Sequence, residues 1–388
     1  MNKGILNSVS YLGYFFVGLV TIILSPTLPF MIQDFNISLA IAGAVFTFRS
    51  IGSFFGVLLG GILSDVLGRK PLIVLGCLIQ GIALAATALT KSWSFVLLFL
   101  FINGMAGGSL STSLNALIAE LNAERRGAAL NALHGIYGLG SLIGPLLIGL
   151  ILTWQFGWRA VYYGAAALWI LFMILILASP FPKTKKEAET SGRSKIELRA
   201  FLLNPVFLLL FFVSFIYNGS AHSLVGWINT YMNQLEYSAF LGSGMLTIFY
   251  LGLTIGRFLC SAWSDRIGYS RIILYCTVGS LAFYPAAIYS GHPLLIAIGV
   301  FLSGLFLSGL HPTGLAYANK LFPDSAGTAT GILSAAMSLG AGIVPWLAGI
   351  IADKSGFRAG LGLGLALLIV LMVVAVSLKR MDESRKEI

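Results

Sequence analysis

Two arginines and three histidines lie inside long runs of apolar residues: Arg49, Arg257, His134, His222 and His311. Polar side chains in such surroundings are costly and usually face a cavity or a partner. An arginine there could bind an anionic group or polar hydroxyls, and a histidine could carry a proton near neutral pH. Each has a structural alternative, because an arginine can pair with a backbone carbonyl and a histidine can simply be hydrogen-bonded.

Amide and aromatic side chains in the same apolar runs form a second group of candidate binding residues. Asparagine amides both donate and accept hydrogen bonds, which suits hydroxyl-rich solutes. Aromatic rings offer flat apolar faces against which a sugar could stack. Core packing is the alternative for the aromatic members. The group consists of Asn103, Asn115, Tyr137, Asn218, Trp227 and Asn229.

The elements that must position these residues are transmembrane helices. Of the 388 residues, 57% are hydrophobic and 10% are charged, whereas a soluble chain carries about 25% charged residues. A helix that crosses the hydrocarbon needs about 20 mostly apolar residues, and twelve such segments predict an all-α membrane protein. These spans lie near 8–30, 39–63, 71–90, 93–119, 127–153, 158–179, 205–232, 238–263, 270–290, 293–318, 326–351 and 357–379.

The second half of the chain repeats the first at an offset of 200 residues. The matching positions are mostly glycine, proline and charged residues, so shared hydrophobicity does not explain them. We therefore expect two pseudo-symmetric six-helix halves, residues 1–180 and 205–388, joined by a polar linker at 181–204. The pairs include Gly52 with Gly252, Asp65 with Asp265, Gly68 with Gly268 and Pro145 with Pro345.

The basic residues predict the topology. Most of the 24 lysines and arginines fall in loops on the side that also holds both termini. By the positive-inside rule, this distribution predicts a multi-pass protein of the cytoplasmic membrane with both termini in the cytoplasm. The net charge of +10 lies in short loops rather than on one folded face, which argues against nucleic acid as a partner.

One charged loop occurs twice, between spans 2 and 3 and between spans 8 and 9. Gly61 is expected to let a neighbouring helix approach closely, and Gly68 to permit a tight turn. We expect the charges to form a gating latch that holds one conformation and releases in another, although they could merely orient the loop. The latch residues are Gly61, Asp65, Gly68, Arg69 and Lys70 in the first copy and Asp265, Arg266, Gly268 and Arg271 in the second.

The stretch "GILSDVLGRK", residues 61–70, resembles the loop signature of the major facilitator superfamily, G-x-x-x-D-R-x-G-R-R, with Val66 in a usual basic position. The second copy has Ser261 in place of the first glycine. The resemblance covers the whole chain, since it includes the twelve spans, the two halves and both copies of the motif. The stretch 217–232 is similar to span 7 of the fucose and glucose permease branch, and the stretch 309–323 to its span 10, although that branch often has an acid where this chain has Ala221.

The resemblance implies a monomeric secondary active transporter in the lipid bilayer that works by alternating access without a cofactor. It would move a small polar solute, such as a sugar or polyol, coupled to H⁺ or Na⁺. The acidic residues of the spans lie near their ends, so a proton would have to use His134, His222 or Glu120.

Two other transport functions remain open. Arg49 and Arg257 suggest an organic anion or carboxylate transporter, because both lie inside spans and could bind an anionic group. In the monocarboxylate branch, the arginine that matches Arg257 binds the carboxylate. The stretch at 138–149, "GLGSLIGPLLIG", is similar in part to an exporter signature and suggests a drug or metabolite efflux antiporter. An enzyme is not expected, since neither H-E-x-x-H, G-x-S-x-G nor the phosphate-binding loop G-x-x-x-x-G-K-[ST] occurs.

Overall fold

The computed structural model describes residues 3–181, 201 and 203–384, and most of these are helical. Within them, twelve helical spans are long and apolar enough to cross a membrane, which confirms the predicted architecture. Most of the predicted linker, residues 182–200 and 202, lies outside the described residues. The helices are Lys3–Thr21 and Leu24–Phe35 (span 1), Leu39–Leu67 (span 2), Arg69–Leu89 (span 3), Trp93–Leu121 (span 4), Arg126–Thr153 (span 5), Gly157–Ala178 (span 6), Pro205–Gln234 (span 7), Ala239–Ile267 (span 8), Tyr269–Tyr289 (span 9), Pro293–Leu307 and Leu310–Leu321 (span 10), Ala326–Ser355 (span 11) and Phe357–Ser384 (span 12).

The chain forms two compact units. The first contains spans 1–6 together with Ile228–Thr247, which is the end of span 7 and the beginning of span 8. The second contains the remainder of spans 7 and 8 and all of spans 9–12. Within the first unit, span 2 packs along span 4, span 3 along spans 4 and 6, and span 1 along span 5. The division of the sequence between residues 180 and 205 stays a prediction.

Spans 1 and 10 are each broken into two helices, although the sequence predicted each as one continuous segment. The break in span 1 falls between Thr21 and Leu24, where Pro26 lacks the N–H that would bond to the carbonyl of Ile22. The break in span 10 follows Leu307, and Pro312 lies just beyond it. Carbonyls released at such breaks need partners inside the protein, because lipid supplies none.

Matching glycines pack the helices closely in both units. A Cβ atom at Gly52 of span 2 would lie 2.0 Å from the carbonyl oxygen of Phe101 in span 4. A Cβ atom at Gly252 of span 8 would lie 2.2 Å from the carbonyl oxygen of Phe301 in span 10. The backbones touch in the same way at positions 200 residues apart, so the repeat in the sequence is reproduced in the packing.

The glycines of the charged loop have different roles. The expectation for Gly61 is wrong, because no described atom lies within 4 Å of its Cβ position. The close approach occurs one residue earlier, where a Cβ atom at Gly60 would lie 2.6 Å from Cα of Ser109. Gly68 and Gly268 have φ angles of 87° and 98°, which favour glycine. The tight turns are therefore confirmed.

We expect Gly52→Ala to destabilise the protein, because the added methyl group would collide with backbone and force spans 2 and 4 apart. Overpacking of this kind typically costs about 1–3 kcal/mol. The measurement is the thermal unfolding of the purified protein in detergent. Gly164→Ala is the matched control, since Gly164 is an exposed helical residue of span 6 with nothing within 4 Å of its Cβ position. Equal melting temperatures for the two variants would contradict the packing argument.

Candidate functional site

A cluster of polar side chains from spans 1, 4 and 5 lies within the first unit. The hydroxyl oxygen of Tyr14 lies 2.8 Å from Oγ of Ser111 and accepts a hydrogen bond from Nδ2 of Asn115. The ring of His134 stands edge-on to the ring of Tyr14, with 5.5 Å between their centroids. The ring of Tyr137 lies 6.2 Å from the same ring. Tyr14 therefore joins the other four residues into one group.

The cluster has a buried anchor and a more accessible edge. Tyr14 is 2% exposed, whereas Ser111, Asn115 and Tyr137 are half-buried and His134 is exposed. Nδ2 of Asn115 also donates to the carbonyl oxygen of Ser111 at 2.8 Å. Both amide hydrogens of Asn115 are thus used, while its Oδ1 accepts no hydrogen bond from a described residue. That oxygen can accept a hydrogen bond from a ligand hydroxyl.

Three of these residues were predicted from the sequence and two were missed. The structure brings together Asn115, Tyr137 and His134, which the sequence marked as polar or aromatic groups inside apolar spans. Tyr14 and Ser111 were missed because single hydroxyl groups are common in transmembrane helices, and a serine there often bonds to its own backbone. Their pairing across spans 1 and 4 is the signal that could have identified them, and it is visible only in three dimensions.

A smaller group surrounds His311 in the second unit, just after the break in span 10. Nδ1 of His311 lies 3.4 Å from Oγ of Ser214. Its ring stacks on that of Tyr217, with centroids 6.2 Å apart and an interplanar angle of 3°. Arg257 is near enough to act electrostatically on this ring. Arg257 is exposed, and no hydrogen bond or ion pair joins it to another described residue.

Arg49 donates a hydrogen bond to the backbone at the break in span 1. Its Nη1 donates a hydrogen bond of 2.7 Å to the carbonyl oxygen of Thr21, the last residue of the first helix of that span. The terminal carbonyls of a helix have no partner within the helix, so the guanidinium supplies one. This contact matches the structural alternative for Arg49, and a binding role for it stays a prediction.

Two predicted amides are already engaged inside their own units. Nδ2 of Asn103 donates to Oε1 of Gln80 at 2.7 Å, and both side chains are buried. Nδ2 of Asn218 donates to the carbonyl oxygen of Met337 at 2.8 Å. His222, one turn further along span 7, is half-buried. The two amides therefore contribute to helix packing, whatever else they bind.

Trp227 and Asn229 are also held by neighbours. The indole of Trp227 is 1% exposed and donates to the carbonyl oxygen of Pro345 at 2.8 Å. Nδ2 of Asn229 donates to Oγ of Ser25 at 3.2 Å, and its Oδ1 accepts from Oγ of Ser243 at 3.3 Å. In this arrangement the ring of Trp227 offers no open face for a sugar.

Both basic side chains in the first copy of the charged loop have partners within the protein. Nη2 and Nε of Arg69 lie 2.6 Å and 3.0 Å from Oε1 of Glu120. Nζ of Lys70 donates to the carbonyl oxygens of Leu177 and Ser179 at 2.9 Å and 3.0 Å, at the end of span 6. Glu120, a candidate proton carrier by sequence, is thus an ion-pair partner of the loop.

In the second copy of the loop, the basic side chains have fewer and longer contacts with described residues than in the first copy. Nη2 of Arg271 lies 3.6 Å from Oε1 of Glu383, and Arg266 makes no hydrogen bond or ion pair with another described residue. The side chains of Asp65 and Asp265 lie outside the described part of the structure. Among the residues that the structure describes, no group of three or more His, Cys, Asp or Glu could hold a metal ion.

A model of the Major Facilitator Superfamily matches residues 10–249 and 241–388, which together cover nearly the whole chain. The chain belongs to the major facilitator superfamily. It is therefore a multi-pass secondary transporter that binds a small-molecule substrate in the membrane, and not an enzyme.

Individual members of the superfamily are similar to most of the chain. The glucose/mannose transporter GlcP of Bacillus subtilis (strain 168) is 24% identical over 381 residues, which cover 95% of this chain and 94% of that protein. The cis,cis-muconate transport protein of Acinetobacter baylyi is 24% identical over 366 residues, with coverages of 91% and 88%. The crystal structure of the nucleoside transporter NupG superposes with a TM-score of 0.81 at 18% identity, covering 98% of this chain and 99% of that one. This last similarity shows the fold.

We expect Arg49→Gln and Arg257→Gln to affect stability differently. Loss of the Arg49 guanidinium leaves the Thr21 carbonyl without this donor, and a hydrogen bond from a charged group contributes about 1.5–3 kcal/mol. The melting temperature of purified Arg49→Gln should therefore fall, while that of Arg257→Gln should stay near the wild-type value. A drop of the same size in both variants would show that Arg257 is also a structural residue.

Proposed function

We propose that this transporter moves a small polar solute with several hydroxyl groups, such as a sugar or polyol, across the cytoplasmic membrane by alternating access. The Tyr14–Ser111–Asn115 cluster carries this proposal, because it fixes an amide oxygen that can accept a hydrogen bond from a solute hydroxyl. Tyr137 and His134 add an aromatic face and an exposed polar ring beside it. The similarity to a glucose/mannose transporter supports this choice, as does the likeness of spans 7 and 10 to the fucose and glucose permease branch.

The other predicted binding residues have secondary roles in this proposal. His311, stacked on Tyr217, is the best placed in the second unit because it is only half-buried and has Arg257 nearby. The remaining candidates would bind a solute only by giving up or sharing the contacts that they make within the protein. They are Asn103, Asn218, His222, Trp227, Asn229 and Arg49.

We further propose that both termini are cytoplasmic, that the protein works as a monomer, and that solute movement is coupled to H⁺ or Na⁺. The distribution of basic residues supports the orientation. His134 is the preferred proton candidate, because it is exposed beside the polar cluster, and His222 is the next. The two charged loops would act as the gating latch, with Arg69–Glu120 as one of its contacts.

An organic anion is the second candidate substrate. Arg257 favours it, because an exposed guanidinium with no described hydrogen-bonding partner is suited to bind a carboxylate. The similarity to a muconate transport protein supports the same substrate class. In this alternative, Arg257 and His311 would form the centre of the binding site, and Arg49 would contribute a second cation.

A thermal-shift screen of the purified protein distinguishes the two substrate classes. Neutral sugars and small carboxylates are added separately, with and without sodium, at pH 5.5 and 7.5. A ligand that binds the folded state raises the melting temperature by mass action. We expect a shift with a hexose or polyol that survives in Arg257→Gln. If only carboxylates raised the melting temperature, and Arg257→Gln abolished this rise, the substrate would be an organic anion and not a hydroxyl-rich solute.

Tyr14→Phe tests the polar cluster directly. The substitution removes the hydroxyl group that orients Asn115 and Ser111, so the affinity for the stabilising solute should fall about tenfold, as expected for one lost buried hydrogen bond and its unpaired partner. Tyr163→Phe is the control, since Tyr163 is an exposed residue of span 6 in the same unit. Binding constants come from isothermal titration with that solute. An unchanged affinity in Tyr14→Phe would remove the cluster from the binding site.

The variant Glu120→Gln tests whether Glu120 acts in the gating latch or carries a proton. As the ion-pair partner of Arg69, Glu120 should affect turnover, so Glu120→Gln and Arg69→Gln should slow transport to a similar extent in proteoliposomes. Accumulation of the solute against its gradient should persist in both. If Glu120→Gln abolished accumulation while solute exchange continued, Glu120 would be the proton carrier instead.

A further inference from the structure

A basic cavity of about 650 Å³ lies in the second unit, where the loop between spans 8 and 9 meets the ends of spans 10 and 12. Among the residues that the structure describes, three cationic side chains line it, Arg266, Arg271 and Lys320, together with one acidic side chain, Asp382. The described lining therefore carries more positive than negative charge at the end of the transmembrane helices, remote in sequence from the Tyr14 cluster.

The carboxylate of Asp382 is held by two hydroxyl groups. Oγ of Ser270 donates to Oδ2 at 2.7 Å, and the hydroxyl of Tyr317 donates to Oδ1 at 2.9 Å. Each oxygen of Asp382 thus accepts a hydrogen bond from a neutral side chain, and one of these donors, Tyr317, also lines the cavity. These contacts fix the C-terminal part of span 12 against spans 9 and 10.

The two sequence repeats differ in charge at the positions that correspond to this cavity. Arg69 and Glu120 form an ion pair of 2.6 Å in the first unit. The positions 200 residues later hold Tyr269 and Lys320, and the Lys320 ammonium lies 5.9 Å from the centroid of the Tyr269 ring. An acid in the first repeat is thus a base in the second. The first repeat pairs its loop arginine with an acid, whereas the second has a cation at the position of that acid.

The cationic side chains of the cavity are weakly engaged. Nη2 of Arg271 lies 3.6 Å from Oε1 of Glu383, and these side chains are 52% and 44% exposed. An exposed pair at this distance contributes little. Arg266 is exposed and has no described hydrogen-bonding partner. Span 9 also begins at this cavity, after Gly268, and the N-terminal end of a helix adds partial positive charge.

We propose that the cavity bounded by Arg266, Arg271 and Lys320 binds a phosphoryl anion. Guanidinium groups match the oxygens of a phosphate geometrically, and Lys320 supplies a further point charge. Because the cavity lies at the ends of membrane spans, the headgroup of an anionic phospholipid can reach it, and basic pockets between helices bind such headgroups. A soluble phosphate ester offers the same chemistry. The site is independent of the proposed solute.

Native mass spectrometry of the purified protein tests whether the phosphoryl anion belongs to a lipid headgroup. Dioleoylphosphatidylglycerol and dioleoylphosphatidylcholine have the same acyl chains and differ in headgroup charge. We expect phosphatidylglycerol to bind at least about tenfold more tightly, since each nearby cation strengthens the attraction to an anionic lipid. Its advantage should shrink with added salt. A parallel thermal-shift titration with inorganic phosphate and glycerol 3-phosphate tests the soluble source.

Two double variants test whether phosphatidylglycerol binds at this cavity. Arg266→Gln/Lys320→Gln should weaken phosphatidylglycerol binding about tenfold or more. Arg125→Gln/Arg126→Gln removes the same number of exposed charges from a loop of the first unit and should leave binding unchanged. Lys320→Glu, which introduces the acid of the first repeat, provides a single substitution in case the double variant fails to fold.

The outcomes are distinct. A preference for phosphatidylglycerol that the cavity variants abolish supports a lipid headgroup site. Binding of phosphate or glycerol 3-phosphate with the same residue dependence, without a lipid preference, supports a site for soluble phosphoryl anions. The proposal is overturned if neither source binds, or if the cavity variants bind as well as the wild type, or if the control variant loses as much affinity. None of these readouts requires transport, so failure of the proposed solute would not affect them.

Discussion

The hydrocarbon core of a membrane supplies no hydrogen-bonding partner, and this constraint determines how the protein uses its few polar side chains. Continuous helices satisfy their own backbone, but the proline-associated breaks in spans 1 and 10 release carbonyl groups. At the first break a guanidinium from span 2 bonds to the carbonyl of Thr21. An arginine that looks like a substrate ligand in the sequence is thus also a hydrogen-bond donor to the broken helix.

The same constraint explains the importance of small residues. Between two apolar helices in lipid there is little hydrophobic driving force, so association depends on close contact of the backbones. The glycines of spans 2 and 8 allow that contact at equivalent positions of the two repeats. The two repeats therefore share their close packing but differ in charge. The clearest difference is Glu120 in the first repeat against Lys320 in the second.

The sequence predicted the number and approximate limits of the spans, because twenty apolar residues in succession are a strong physical signal. It also predicted the repeat and the tight turn at Gly68, which recurs at Gly268. It failed at the breaks, since Pro26 and Pro312 each lie within a long, mostly apolar segment whose length predicts one continuous helix. The roles of single polar residues were predicted unevenly. Asn115 and His134 lie in one cluster, whereas Asn103 is buried against Gln80 and Trp227 against Pro345.

The physical reason is that a transmembrane helix is apolar on the face that meets lipid and also on the face that meets other helices. The pattern of hydrophobicity therefore says little about the rotation of each helix around its axis. Without that rotation, an asparagine directed toward a cavity and one directed toward a neighbouring helix look alike. The missed residues, Tyr14 and Ser111, depend on the rotation of two helices at once.

The turn at Gly68 has a mechanical consequence. Span 2 ends at Leu67 and span 3 begins at Arg69, so one residue with two rotatable backbone bonds joins two long helices. So short a connection leaves almost no slack between the end of span 2 and the beginning of span 3. Whatever moves the end of one helix along its axis must therefore carry the adjoining end of the other with it, while the φ and ψ angles of Gly68 remain free to change the angle between them.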